Sequence, residues 1–260
     1  GDHRDLPSFP TRRSSDLNRS KLQQALPPHP GNQGFDEWCS VFNFFDLNPD
    51  YFVHNGERVG AIQGDGPDIT VDFAVKWIRA MAAKKQRFFA VVWFGNPHLP
   101  HQALEKDAAL YPGAKPPMQQ YMGEISGVDR AMGTLRTALR EAGVADDTLL
   151  WFCSDNGGKL PQANNGGLRG EKGNIWEGGF RVPGILEWPA RVPKPVRTSV
   201  PACTSDLFPT VLDLVGLKAP DSRPLDGISL VPLIDGTMKA RPSPIRSEEH
   251  TSELQSRQSI

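Results

Sequence analysis

The reading of this chain turns on Trp151-Phe152-Cys153-Ser154-Asp155-Asn156-Gly157-Gly158. Thr148 to Phe152 is short, apolar and β-prone, which predicts a buried strand. Two oxygen-bearing side chains, Asp155 and Asn156, follow at its end, and Gly157 and Gly158 then let the backbone turn sharply. In open α/β sheets ligands bind just beyond the carboxyl ends of strands. A carboxylate beside a carboxamide at that position suits a hard cation such as calcium or magnesium. The octet alone fits an Asx turn at a strand end equally well, and the sequence on either side has to decide.

Upstream, Val71, Ala74, Val75, Ile78, Met81 and Ala82 recur on one helical face, with Asp68 or Thr70 as N-cap and Lys84 and Lys85 at the far end. Phe88-Phe89-Ala90-Val91-Val92-Trp93-Phe94 is apolar on both faces, as a central strand between helix layers should be, and leads into Gly95-Asn96-Pro97-His98-Leu99-Pro100-His101. A second helix is marked by Tyr121, Ile125, Val128, Met132, Leu135 and Leu139, with Gly143 as its stop. Helix, strand, helix, strand predicts a doubly wound α/β layer. Downstream, a glycine-rich loop runs from Asn164 to Gly179, then a strand over Gly184 to Trp188. A third helix covers Thr204 to Val215, capped at Thr204 or Ser205 and stopped by Gly216. Nearer the start, Leu26 to Gly31 reads as extended loop and Asn55-Gly56 as a hairpin turn.

Bulk properties narrow the field. With 260 residues the chain is long enough for one α/β domain and the start of another, and a net charge of -1 gives no sign of nucleic-acid binding. It contains no apolar run long enough to span a bilayer and shows no signal peptide at its start. Cys39, Cys153 and Cys203 follow no zinc or redox spacing. In a doubly wound sheet, His98 and the Asp155-Asn156 pair would open into one crevice, and Lys172 on the glycine-rich loop would add an ammonium. Cation, imidazole and ammonium together suit a tetrahedral oxyanion, with histidine donating a proton to the leaving group. His101 reads as structural or rim, Cys153 as packing, and Arg169, Glu177 and Arg181 as loop braces in buried ion pairs.

Gly34-Phe35-Asp36-Glu37-Trp38, Pro97-His98-Leu99-Pro100, Ser154-Asp155-Asn156-Gly157-Gly158, Leu168-Arg169-Gly170-Glu171-Lys172, Glu177-Gly178-Gly179-Phe180-Arg181-Val182-Pro183 and Asp226-Gly227-Ile228-Ser229-Leu230 resemble, in order and spacing, the type I sulfatases. Within that family the chain is similar to bacterial N-acetylgalactosamine-6-sulfatases and arylsulfatases. The resemblance implies an alkaline-phosphatase-like α/β sandwich, with a mixed, mainly parallel sheet between helices, here incomplete. It implies hydrolysis of sulfate monoesters, sulfated small molecules or glycans, by a formylglycine nucleophile matured from cysteine or serine, with one calcium ion. Asp155 and Asn156 would be metal ligands; His98 and Lys172 would be catalytic and bind the sulfate. Export to the periplasm or outside the cell is implied as well.

The nucleophile signature (Cys or Ser, any residue, Pro, a small residue, Arg) surrounds none of the three cysteines. Ser8-Phe9-Pro10-Thr11-Arg12 fits it loosely but lies too close to the Gly34 block to leave room for the elements expected between them. Phe9 to Leu17 and Arg246 to Ser256 resemble translated sequencing-library adapters. The expected organisation is therefore a non-native tail over 1–17 and the C-terminal part of a sulfatase catalytic domain over 18–216. The start of a C-terminal subdomain follows over 217–245, and a second non-native tail over 246–260. Such a fragment is expected to be inactive alone. The rival readings are a phosphatase or phosphodiesterase of the same superfamily, which would need imidazole ligands for two zinc ions, and a non-catalytic anion-binding relative.

Overall fold

A computed structural model describes residues 29–41, 47–50, 52–219 and 221–245. The expected non-native tails and Leu26 to Pro28 of the extended loop lie outside the described residues. The chain divides into two compact units, Gly1–Ala145 and Asp146–Ile260.

In the first unit, β1 (Cys39–Ser40), β2 (Phe52–His54) and β3 (Glu57–Gly60) form an antiparallel sheet in that order. Asn55 (φ 49°) and Gly56 (φ 91°) both take the left-handed conformation that the tight β2–β3 hairpin demands, as expected of Asn-Gly. Helix α1 (Gly66–Ala83) starts earlier than its apolar period suggests: its N-cap is Asp65, which accepts from the Asp68 N–H at 3.3 Å. Asp68, one of the two expected caps, instead sits in the first turn, where a carboxylate complements the helix dipole. Val71, Val75 and Ile78 are buried as expected.

They pack against α3 (Pro116–Glu141), whose buried stripe contains Val128, Ala131, Leu135 and Leu139. Each large aliphatic side chain removed from water there contributes about 1.5–3 kcal/mol. Ile125 departs from expectation, being 42 % exposed. Small residues displace it from the stripe: a Cβ on Gly123 would sit 2.6 Å from the Ala103 Cβ, so glycine lets α2 (Glu105–Ala108) and its approach come close to α3. Arg130 then ties the unit together, donating to Asp68 at 2.9 Å, Asp107 at 2.5 Å and Asp65 at 3.2 Å. Burial opposes its charge, but the Asp68 and Asp107 carboxylates more than offset this and hold the guanidinium firmly protonated.

In the second unit, β4 (Leu150–Cys153) pairs antiparallel with β5 (Gly184–Glu187), with Leu150 opposite Glu187 and Cys153 opposite Gly184. A short helix, α4 (Glu177–Phe180), lies between them in sequence, and α5 (Leu207–Val215) and α6 (Val231–Ile234) follow. The expected third helix begins as a 3-10 turn, Thr204–Asp206, and ends at Gly216 (φ 69°). Its cap is neither Thr204 nor Ser205. The Asp206 carboxylate reaches back to the Cys203 N–H at 2.8 Å, accepts from the Ile228 N–H at 2.8 Å, and takes a two-pronged ion pair from Arg241 at 2.7 and 2.8 Å.

Two expectations need correcting. Phe88 to Phe94 forms no strand, and Trp93 is 83 % exposed. A run apolar on both faces needs a ladder partner on each edge, and no described segment pairs with it. The ladders among the described residues are all antiparallel, so the parallel strand order read from helix–strand alternation is not found in them. The α/β character stands. Among the described residues no helix is long and apolar enough to cross a membrane.

Removing one partner of a buried ion pair leaves an uncompensated charge, so Asp206→Asn is expected to lower stability by about 3–5 kcal/mol in urea unfolding at pH 7. Burial raises the Asp206 pKa, but Arg241 and two backbone N–H donors outweigh it and hold it below the usual carboxylate range. Its contribution is therefore complete above the unfolded carboxyl value of about 4 and is lost as pH falls through the lower folded value. The gap between wild type and variant should close in acid.

Candidate active site

The end of β4 and the glycine-rich loop cross at van der Waals limits. The Gly157 N–H donates to the Gly179 carbonyl at 2.8 Å, the Lys172 N–H to the Gly158 carbonyl at 3.1 Å, and the Gly178 N–H to the Arg169 carbonyl at 2.7 Å. A Cβ on Gly157 would collide with the Gly178 carbonyl, and one on Gly178 with the Gly170 carbonyl. Only glycine allows two backbones this close.

The Asn165 carboxamide completes the knot. It accepts from the Gly158 N–H at 2.9 Å and donates to the Gly158 and Gly170 carbonyls, each at 3.1 Å. Glu171, the residue before Lys172, is anchored through its side chain, which accepts from the Leu160 N–H at 2.8 Å and the Lys159 ammonium at 2.5 Å. That Lys159 bond, with the Leu160 N–H, draws its carboxyl below the usual range.

The structure thus brings the Asp155-Asn156 strand end and the Lys172 loop together within one unit. Asp155 is exposed, while Asn156 and Lys172 are half-buried. Cys153 is exposed rather than packed, and its thiol is pushed up by partial burial and the Asp155 charge, so it holds its proton and is no activated nucleophile. Burial pushes the Cys39 thiol up to about 11. The braces also differ from expectation. Arg181 and Glu177 pair at 2.8 Å while largely exposed, and the Arg169 guanidinium carbon sits over the Trp176 ring, 3.6 Å from its centroid.

His98 belongs to the other unit, Gly1–Ala145. Its Nδ1 lies 2.7 Å from the Leu99 carbonyl. A carbonyl can only accept, so Nδ1 carries the proton of the neutral ring and any transfer to a ligand runs through Nε2. The loop around it hangs from one buried carboxylate. Glu124 on α3 accepts from the Asn96 side chain at 3.2 Å, the Gln102 N–H at 3.1 Å and the His101 ring at 2.7 Å. Burial pushes the Glu124 pKa up despite these bonds. His101, 11 % exposed at its side chain, is structural as expected.

Glu124, Asn165 and Glu171 play parts the sequence reading did not assign. Glu124 gave a signal, because it stands three residues after Tyr121 and four before Val128, a charge inside an apolar stripe. Asn165 gave none beyond turn composition.

Among the described residues no group of three or more His, Cys, Asp or Glu is gathered to hold a metal ion. Asp155 and Asn156 supply hard oxygen donors of the right chemistry. Calcium takes about six to eight oxygens, however, and these side chains alone leave its shell incomplete.

A profile of the Sulfatase family matches residues 14–217, and the chain belongs to that family. It is 38 % identical over 125 residues to the steryl-sulfatase of Homo sapiens, covering 45 % of this chain and 21 % of the relative. It is 28 % identical over 238 residues to the N-acetylgalactosamine-6-sulfatase of Canis lupus familiaris, covering 82 % of this chain and 45 % of the relative. The chain thus spans less than half the length of either. The crystal structure of Ps i-CgsB in complex with k-i-k-neocarrahexaose superposes with a TM-score of 0.74 at 35 % identity, over 80 % of this chain and 52 % of that one.

Gly157→Ala forces apart two backbones that cannot yield separately. It is expected to cost about 1–3 kcal/mol in denaturant unfolding and to speed hydrogen exchange at the Lys172 amide, while exchange in α5 stays unchanged.

Proposed function

We propose that a protein carrying this chain together with a nucleophile segment hydrolyses sulfate monoesters, with sulfated sugars as the substrate class. Family membership supports the reaction type, and the backbone knot joining the Lys172 loop to the Asp155-Asn156 strand end is the observation that carries the site. Lys172 binds nonbridging sulfate oxygens and offsets the charge that builds on them. His98, with its Nδ1–H held by the Leu99 carbonyl, protonates the leaving alcohol oxygen from Nε2 when the ring is in its imidazolium form, and returns to the neutral Nδ1–H ring. Asp155 and Asn156 are the residues of this chain that would hold a calcium ion, and further oxygen donors would be needed to complete its shell. When bound, that ion supplies Lewis-acid polarisation of the sulfate, and the formylglycine expected in this family supplies the attacking oxygen. The sugar preference is supported by the likeness to Ps i-CgsB, solved with a neocarrahexaose. Export to the periplasm or outside the cell is part of the same reading.

A carboxamide at position 156, where a two-zinc phosphatase would want an imidazole, favours one hard cation over zinc. The reading is tested by expressing the reading frame that surrounds residues 29–245 and assaying aryl sulfate against aryl phosphate, with calcium and zinc compared. Sulfate-ester turnover with calcium is expected, with His98→Ala and Lys172→Ala each lowering kcat by about 10²–10⁴-fold. Faster phosphate-ester turnover with zinc would overturn it, as would no turnover of either ester. The chain as given is expected to show no turnover.

A further inference from the structure

We infer that Glu124 is a positioning residue for His98, acting through the loop rather than on substrate. The inference rests on the role proposed for His98 above. The Glu124 side chain is completely buried, and its hydrogen-bond donors all come from one short stretch: Asn96, His101 and Gln102. These anchors bracket His98, two residues before it and three and four after. Between them lie only Pro97, His98, Leu99 and Pro100, and each proline fixes its own φ. The loop has little freedom left, and the Leu99 carbonyl sets the rotation of the ring.

A purely structural role does not account for a carboxylate here. The neighbouring buried positions on α3 hold glycine, valine and alanine, and an apolar residue at 124 would fill the stripe without the cost of burying a charge. What the carboxylate adds is three directed bonds to a loop that otherwise has few ties to the helix. Gln120 supplies one more, accepting from the Ala103 N–H at 2.8 Å just beyond the bracketed stretch. Oε1 takes two donors and Oε2 takes the His101 ring, so one side chain fixes both arms of the loop at once.

The test uses the given chain, labelled with nitrogen-15, and reads the histidine ring nitrogens by long-range proton–nitrogen correlation in wild type, Glu124→Ala, Glu124→Gln and His101→Ala. Wild-type His98 is expected to show the Nδ1–H signature. In Glu124→Ala that signature should relax toward the averaged pattern of a free imidazole, while amide signals of Val71 and Leu135 stay in place. Glu124→Gln keeps an acceptor oxygen for Asn96 and Gln102 and can donate to the His101 ring, so it should restore the wild-type His98 pattern. His101→Ala, which removes one anchor, should give a partial shift and carries the test should Glu124→Ala fail to fold.

His98 signals unchanged in a folded Glu124→Ala, or in His101→Ala if that variant must stand in, overturn the inference. Core amides moving as far as the His98 ring overturn it as well. In the complete protein, Glu124→Ala should lower kcat by about tenfold or more with little change in KM, and Glu124→Gln should recover most of it. If the ring responds as expected but the complete protein turns over no sulfate ester, the clamp stands and the catalytic reading of His98 falls.

Discussion

Two backbones meeting with nothing between them set the terms for the second unit. Where the end of β4 passes under the glycine-rich loop, the carbonyls of one segment occupy the space that side chains would need on the other. That proximity makes the Gly157–Gly179 and Lys172–Gly158 hydrogen bonds possible, and those bonds hold the glycine-rich loop to the strand end it left. The loop has almost no apolar core of its own. Its order comes from backbone pairing, the Asn165 carboxamide and the Glu171 carboxylate. Lys172 is therefore carried on a frame whose geometry is fixed by main chain, which varies less than side-chain packing does.

Both units settle their polar interiors in the same way. The two most deeply buried carboxylates each sit where several donors converge: three loop donors on Glu124, and an arginine with two backbone N–H groups on Asp206. In one case the donors leave the carboxyl pKa raised by burial, because no full positive charge is guaranteed opposite it. In the other, Arg241 brings a permanent charge and reverses the sign. The difference separates a carboxylate that orients a loop from one that welds distant segments together.

Much of the local structure was legible. The β4 strand, half-buried rather than buried as expected, the Asn55-Gly56 hairpin and the stops at Gly143 and Gly216 follow from composition and spacing, because each depends on residues within a few positions. The helix starts were read late: Asp65 caps α1 upstream of the first periodic residue, and α3 opens at Pro116 before its apolar stripe becomes visible. The polar hubs were not legible. Arg130 reaches Asp65, and Arg241 reaches Asp206, across long stretches of chain that no local pattern connects. Of the proposed site, the strand-end pair and the loop lysine were readable as motifs. The glycine crossing that joins them was visible only as glycine content, because a close approach is a property of two segments and not of either one.

The bare stretch from Phe88 to Phe94 has a practical consequence. Phe89, Val91 and Trp93 are exposed on an uncharged, proline-free stretch that no strand pairs with among the described residues. Such a stretch is a place where another extended segment can pair, the first step toward aggregation. Charged gatekeepers at the outward positions would block that pairing without touching either helix core.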